Sequence, residues 1–278
     1  MGMYVAGIEY DNAYLGGVQL DNIYSEGNDY LGLAGFTGEF DDLPAARNFP
    51  RGIQTMFNYG GQILAVNRSG SGYTVDLASN NFTNQIGFNT IFNFSNVTNA
   101  DVTPDLAEFY YSTASDFFKY NQNTEVRTQL AQRTDYFNLS QTGSIRFARC
   151  EGLAYSGSTL YAILQIRGVD GLTGSNRDFR LYTINITDGT ATRVGTATNL
   201  GRPSNFSNVR DMTWADGELI FLQSGSNQNV IWRLDPSTGS VIGSALTRST
   251  TFTFAGLVYI GTDLYSTDFN GLRRAVRG

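Results

Sequence analysis

The chain offers few residue types that could carry out catalysis. It contains no histidine, a single cysteine (Cys150) and a single lysine (Lys119), against 25 acidic residues. Without histidine the commonest general base, the Ser-His-Asp triad and every His-ligated metal site are excluded. One cysteine also excludes disulfide frameworks, zinc ribbons and iron–sulfur clusters. The chemistry left open is that of carboxylates, arginines, amides and aromatic rings.

One long polar segment, residues 167–178, is the first candidate binding site. It is longer than the segment 223–229, which follows an equivalent predicted strand. Loops that exceed the norm of a repeat are where repeat proteins carry function. Four of its side chains suit recognition of a sugar or a protein partner, and we predict them as binding residues: Arg167, Asp170, Asn176 and Arg177. The alternative is a hairpin tip without a binding role.

Two groups of acidic residues could hold a cation, and the first of them could instead bind a sugar. Glu39, Asp41 and Asp42 stand before Pro44, and Glu9 and Asp11 flank a tyrosine. No EF-hand or repeat-type calcium loop frames either group. We therefore predict a solvated loop for the first group, and no metal site and no cofactor for the chain.

Three further side chains have a structural and a functional interpretation. Trp214 and Trp232 lie in predicted strands, which favours the core over a platform for stacking sugars. Cys150 lies near Arg146 and Arg149, which could lower the pKa of its thiol. A small buried core residue is the interpretation we favour for Cys150.

The charge balance is acidic, with a formal net charge of −6. Nucleic-acid binding requires clustered cations, so no nucleic-acid partner is expected. No apolar run approaches the ~18 residues of a membrane span, and the first residues lack the basic region of a signal peptide. The chain is therefore expected to be made and folded in the cytoplasm.

Short strands separated by glycine turns repeat along the chain. Each unit has four segments of alternating polarity joined by Asp-Gly or Ser-Gly pairs, which favour tight hairpins. An aromatic residue recurs at the end of the first strand, as Tyr155, Trp214 and Tyr259. The clear units are 52–90, 150–197, 210–245 and 255–278, and weaker ones are 4–40 and 103–132.

This organisation predicts a single all-β domain, a β-propeller. At ~45 residues per four-stranded blade, 278 residues correspond to about six blades. The last unit has three strands only, so we expect an N-terminal strand within residues 4–20 to complete it and close the ring. A β-sandwich is the alternative, but it gives no reason for the repeated aromatic residue.

Two stretches carry a resemblance to a known group of proteins. Residues 181–195 (LYTINITDG…VG) and 231–243 (IWRLDPSTG…IG) are similar to the LYxIDxxTGxxxxVG strand-turn-strand unit of divergent bacterial and phage propellers. The resemblance covers about half of the chain, from Gly152 onward. The shared residues shape turns, so the resemblance implies the fold and no particular activity.

Composition then suggests a role. The chain is rich in Asn, Thr, Ser, Tyr and Gly and nearly free of lysine, as extracellular surfaces are, although no export signal precedes it. Proteins of virus particles fit both facts, because they assemble in the cytoplasm. We expect a non-catalytic interaction protein of a phage or virus particle, in its tail, fibre or capsid, with other subunits and a surface glycan or receptor as partners. The alternative is a propeller that binds or cleaves carbohydrate with carboxylates and aromatic rings at its channel mouth.

Overall fold

The architecture is a set of small antiparallel sheets. A computed structural model describes residues 3–5, 8–10, 36–42, 52–67, 71–78, 81–84, 97–113, 116–132, 147–167, 178–201, 209–224, 229–248, 255–267 and 271–277. These residues contain 22 strands, of which all but two belong to five four-stranded sheets. No helix in the described part of the chain has the length and apolar character to cross a membrane.

In four of these sheets, which we call blades 1 to 4, the strands follow one another in the sequence. Blade 1 contains β4 (Ile53–Tyr59), β5 (Gln62–Asn67), β6 (Gly72–Asp76) and β7 (Asn81–Asn84). Blade 2 contains β8 (Val97–Val102), β9 (Glu108–Thr113), β10 (Asp116–Asn121) and β11 (Val126–Gln132). Blade 3 contains β12 (Phe147–Tyr155), β13 (Leu160–Arg167), β14 (Asp178–Ile184) and β15 (Ala191–Arg193), and a single 3-10 turn, Asn199–Gly201, follows it. Blade 4 contains β16 (Val209–Ala215), β17 (Glu218–Ser224), β18 (Asn229–Leu234) and β19 (Val241–Arg248).

Blade 5 combines two distant parts of the chain. Its first three strands are β20 (Leu257–Ile260), β21 (Asp263–Thr267) and β22 (Leu272–Arg277), and its fourth is β3 (Phe36–Asp42). The pair β1 (Met3–Val5) and β2 (Ile8–Tyr10) forms a separate two-stranded sheet. The prediction that a strand within residues 4–20 completes the last blade is therefore wrong, because β3 is the fourth strand and the two strands described near the N-terminus pair with each other.

The first strands of the blades form a ring, which makes the fold a β-propeller. Each of β4, β8, β12, β16 and β20 packs against the next, and β20 packs against β4. The prediction of an all-β propeller is confirmed, and the prediction of six blades is wrong. Dividing the whole length by a blade length overcounted, because the strands described before residue 52 add one strand to blade 5 and a separate pair, not a blade.

The hydrophobic core lies between neighbouring blades. Among the described residues five buried clusters occur, and each combines side chains of two adjacent blades. In β18 the alternation predicted from sequence is confirmed, since Trp232 packs between blades 3 and 4 and Ile231 between blades 4 and 5. Both faces of such a blade are buried, so the stability of each sheet depends on its two neighbours.

The turn glycines of the repeated motif lie where two blades touch. Gly195 and Gly239 have φ values of +60° and +68°. A Cβ atom on Gly239 would come within 2.6 Å of the carbonyl oxygen of Val194, and one on Gly195 would overlap the carbonyl of Thr238. The motif therefore requires glycine for two reasons, the left-handed backbone and the close approach of the next turn.

Candidate functional site

One strand position, repeated in all five blades, defines the candidate site. It is the residue near the end of the first strand that pairs with an apolar residue of the second strand. All five residues at this position line one cavity at the end of the central channel: Asn58, Val102, Tyr155, Trp214 and Tyr259. We call this the channel-mouth cavity.

The cavity has the size of a small-molecule site. Its volume is about 330 Å³. The remaining lining comes from the turns and strand ends beside these positions: Gly60, Gly61, Asp101, Pro104, Leu106, Ser156, Gly157 and Thr213. Pockets for small ligands start at ~300 Å³ and combine aromatic walls with a few polar groups.

Aromatic side chains from three successive blades form one side of the cavity. Tyr155 stacks on Tyr110 with ring centroids 6.1 Å apart, and Trp214 stacks on Tyr161 at 5.9 Å. The hydroxyl of Tyr259 donates to a carboxylate oxygen of Asp216 at 2.5 Å. Each of the three side chains is thus held by a neighbouring side chain, which limits its movement without help from a ligand.

A carboxyl group lies next to the first of these aromatic residues, Tyr155. Asp101 precedes Val102, the last residue of blade 2's first strand, and its oxygens accept the backbone N–H groups of Tyr155 at 2.6 Å and of Val102 at 2.8 Å. Burial raises the pKa of Asp101 to about 7, against the lowering effect of these two donors. A carboxyl with this pKa can hold or release a proton at neutral pH, as a general acid or base must.

The same hydrogen-bonding device recurs between blades 4 and 5. The backbone N–H of Tyr259 donates to the hydroxyl of Thr213 at 3.3 Å. Thr213 precedes Trp214 just as Asp101 precedes Val102. A side chain just before the repeated position therefore fixes the backbone of the next blade at the cavity edge.

Farther from the cavity along the same strand, the buried side chain of Asp211 makes hydrogen bonds to other blades. Asp211 of β16 is fully buried, and its oxygens accept the backbone N–H groups of Met56 in blade 1 and Leu257 in blade 5, at 3.0 and 2.9 Å. The hydroxyl of Thr55 donates to it at 3.1 Å. Asp211 thus ties three blades together at the axis.

The predicted binding residues are not part of this cavity. Arg167 is the last residue of β13, at the end of blade 3 opposite the β12–β13 turn that borders the cavity. Asp170, Asn176 and Arg177 lie outside the described residues, so their predicted role stays a prediction.

Other candidate residues are placed as follows. Glu39, Asp41 and Asp42 belong to the strand β3, so the predicted solvated loop is wrong. In the strand register Asp41 lies opposite Arg274 and Asp42 opposite Arg273. Glu9 lies in β2 and Asp11 outside the described residues. Within the described ranges no three carboxylate or thiol groups come together to hold a metal ion.

Of the two tryptophans and the cysteine, Trp232 and Cys150 lie in the core and Trp214 lines the cavity. Trp232 is buried and donates its indole N–H to the side chain of Gln223 at 2.8 Å, as a core residue. Trp214 is half-buried and lines the cavity, so its assignment to the core alone was incomplete. Cys150 is buried, and burial raises the pKa of its thiol to about 12, so the favoured interpretation as a core residue is confirmed.

Comparison with known proteins gives information about the fold only. No protein-family model matches the chain, and no curated protein sequence matches it. The chain is similar to an aldose sugar dehydrogenase from Streptomyces coelicolor in its PQQ-bound form, with 15% identity, a TM-score of 0.46, and coverage of 86% of this chain and 82% of that one. It is also similar to a chain of a nidogen/laminin complex, with 13% identity, a TM-score of 0.47, and coverage of 84% and 83%. A third similar structure is a glutaminyl cyclase from Myxococcus xanthus, with 13% identity, a TM-score of 0.42, and coverage of 84% and 97%.

These comparisons correct one prediction. Two of these three similar structures are enzymes, so the prediction that this chain is not an enzyme is wrong. It depended on the missing histidine, and carboxylates such as Asp101 remain able to transfer protons. At these identities and TM-scores the likeness assigns no activity to the chain.

Proposed function

We propose that the protein is a recognition propeller that binds a small organic ligand in the channel-mouth cavity. The observation that carries this proposal is the convergence of one repeat position from all five blades on a single cavity. The second-strand residues that pair with this position are all large, apolar and buried, as the packing between blades requires. At the cavity the five residues differ, with three aromatic rings, an amide and a valine, and such variety suits a ligand better than the fold.

The wall of the cavity is also prepared for binding. Tyr155 and Trp214 each have one ring face stacked on another aromatic residue, so little rotamer freedom remains to be lost when a ligand binds. Asp101 and Thr213 are held by the backbone of the next blade. A prearranged site of this kind spends less of its interaction energy on ordering side chains.

A screen of small molecules by thermal shift and calorimetry tests the proposal. Ligands that bind the native protein are expected to lose at least about tenfold in affinity in Trp214→Ala, because this ring forms part of the wall. Phe118→Ala is the matched control, since Phe118 is also a half-buried aromatic residue but lies on β10 of blade 2, outside the cavity lining. Ligands that bind both variants equally well would contradict the proposal.

The role in a phage or virus particle is a separate proposal that depends on composition. It is supported by the resemblance of residues 181–195 and 231–243 to phage and bacterial propeller repeats and by the near absence of lysine. Electron microscopy of the source material tests it: copies of the chain at symmetric positions on a particle would support it. A free monomer with no self-association would contradict it.

A further inference from the structure

The face around the channel mouth is acidic. In an antiparallel blade the turn after the first strand and the turn after the third strand lie at the same end of the sheet. The described residues of these turns include five carboxylates and none of the chain's 19 lysine and arginine residues: Asp105, Glu125, Asp188, Asp216 and Asp235. The turn residues described at this end of the blades therefore include carboxylates and no basic side chain.

The cavity itself has the same character. Its lining contains Asp101 and no lysine or arginine. The salt bridges found among the described residues join Lys119 to Glu108, Arg149 to Glu151, Arg180 to Asp178 and Arg233 to Glu218, and none reaches Asp101. The partners of the Asp101 carboxyl group there are two backbone N–H groups, which carry no full charge.

The aromatic wall adds to this preference. The face of an aromatic ring is negative, and a cation within ~6 Å of the ring centre is attracted to it, most strongly by tryptophan. Tyr155, Trp214 and Tyr259 come from three successive blades and border the same cavity. The lining thus combines three such rings with one carboxyl group and contains no lysine or arginine. Sites of this composition recognise amines and quaternary ammonium groups.

We propose that the ligand of the channel-mouth cavity is a small organic cation, carrying an amine or ammonium group. This proposal rests on the proposed function and names the class of its ligand. The cationic group lies among the rings of Tyr155, Trp214 and Tyr259, with Asp101 as its counter-ion. A neutral sugar would gain contacts with the rings and hydrogen bonds, but nothing from the charge, and an anion would be repelled by the whole face.

The raised pKa of Asp101 agrees with this assignment. Burial without a cationic partner disfavours its carboxylate, and the pKa is therefore about 7. A bound cation supplies the missing partner, so binding and ionisation of Asp101 favour each other. Tyr155 and Tyr259, with the nearby carboxylate of Asp216, are the other titratable groups at this point of the cavity.

Two pairs of probes test the charge preference by isothermal titration calorimetry at pH 8. Choline is compared with 3,3-dimethylbutan-1-ol, which has the same shape without the charge, and cyclohexylamine, which is protonated at this pH, is compared with cyclohexanol. We expect at least one cation to bind about tenfold or more tightly than its neutral partner. We also expect Asp101→Asn and Trp214→Ala each to weaken that binding by about tenfold, while Asp235→Asn, which removes a turn carboxylate outside the cavity lining, changes it less than about twofold.

The outcomes separate the two proposals. Neutral probes that bind as well as the cations, with loss of binding in Trp214→Ala, overturn the cation and leave the ligand-binding cavity in place. Cation binding that Trp214→Ala and Asp101→Asn both leave unchanged overturns the cavity as its site. If none of the four probes binds to the folded protein, the proposal of a small organic cation is overturned in its present form, while the broader screen still decides the proposed function.

Discussion

Removal of the Asp211 carboxylate is expected to destabilise the whole ring. Asp211 is fully buried, and its oxygens accept three backbone N–H groups and one hydroxyl, at 2.9 to 3.1 Å, from blades 1, 4 and 5. In Asp211→Ala these donors lose that acceptor, at about 1–3 kcal/mol for each buried group. Part of this loss is offset because a buried carboxyl group no longer has to be desolvated.

The net expected loss is about 3–4 kcal/mol in the free energy of unfolding, near the upper end of what single substitutions cost. For a chain of this length that corresponds to a melting temperature lower by about 6–16 °C. Asp211→Asn keeps the shape but turns one acceptor oxygen into an N–H₂ donor that faces other donors, so we expect a loss of about 2–3 kcal/mol.

Thermal and urea unfolding, followed by circular dichroism, measure these losses. Asp188→Asn is the matched control, because Asp188 is an exposed turn residue that accepts the backbone N–H of Thr190 at 2.8 Å, and an asparagine oxygen can accept the same bond. We expect it to change stability by less than about 0.5 kcal/mol. Equal stability of Asp211→Asn and Asp188→Asn would refute the view that this carboxylate holds the ring together.

Three further predictions follow from burial and backbone geometry. Gly239→Ala is expected to lose about 1–3 kcal/mol more in urea unfolding than Gly261→Ala, since both glycines have φ near +65° but only the Cβ at Gly239 meets another backbone atom; equal losses would mean that the contact between turns does not matter. Because the pKa of Asp101 is raised to about 7, the folded state binds a proton that the unfolded chain has already released, so this group should make stability fall as the pH rises from 4 to 7, by at most about 4 kcal/mol. Asp101→Asn should reduce the slope and leave the part due to Asp211, whose pKa burial also raises. A pH-stability curve in which the variant keeps the wild-type slope would contradict this cause. Cys150, buried and with a pKa of about 12, should resist iodoacetamide in the native protein at pH 8 and react on unfolding, which mass spectrometry detects; fast labelling of the native protein would show that the thiol is accessible.

The fold could be predicted from sequence because each blade is built from local signals. Alternating residues such as Val230, Trp232 and Leu234 mark strands, and Asp-Gly pairs mark the hairpins between them. The number of blades depends on long-range pairing, which no local pattern reports. Phe36–Asp42 joins the strand Leu272–Arg277 from the far end of the chain, and nothing in either segment specifies the other.

The channel-mouth cavity was missed because its residues served as markers of the repeat. The spacing of Tyr155, Trp214 and Tyr259 indicated the repeat unit, and residues at a fixed repeat position are ordinarily interpreted as core. In a closed ring, however, a position at the end of the first strand is brought to the axis by every blade. Asn58 and Val102 occupy the same position in blades 1 and 2, and neither could be recognised from the sequence because neither is aromatic.

The differences between blades at this position therefore support ligand binding. The second-strand partners of the five residues pack between blades, and all of them are large, apolar and buried: Ile63, Phe109, Leu160, Leu219 and Leu264. At the channel mouth the ring instead places aromatic residues in blades 3, 4 and 5, Asn58 in blade 1 and Val102 in blade 2, with the carboxyl group of Asp101 beside Val102. The uniform packing of the second-strand partners gives no reason for three aromatic rings, an amide and a carboxyl group around one cavity, whereas a ligand with an apolar face and a charged group does.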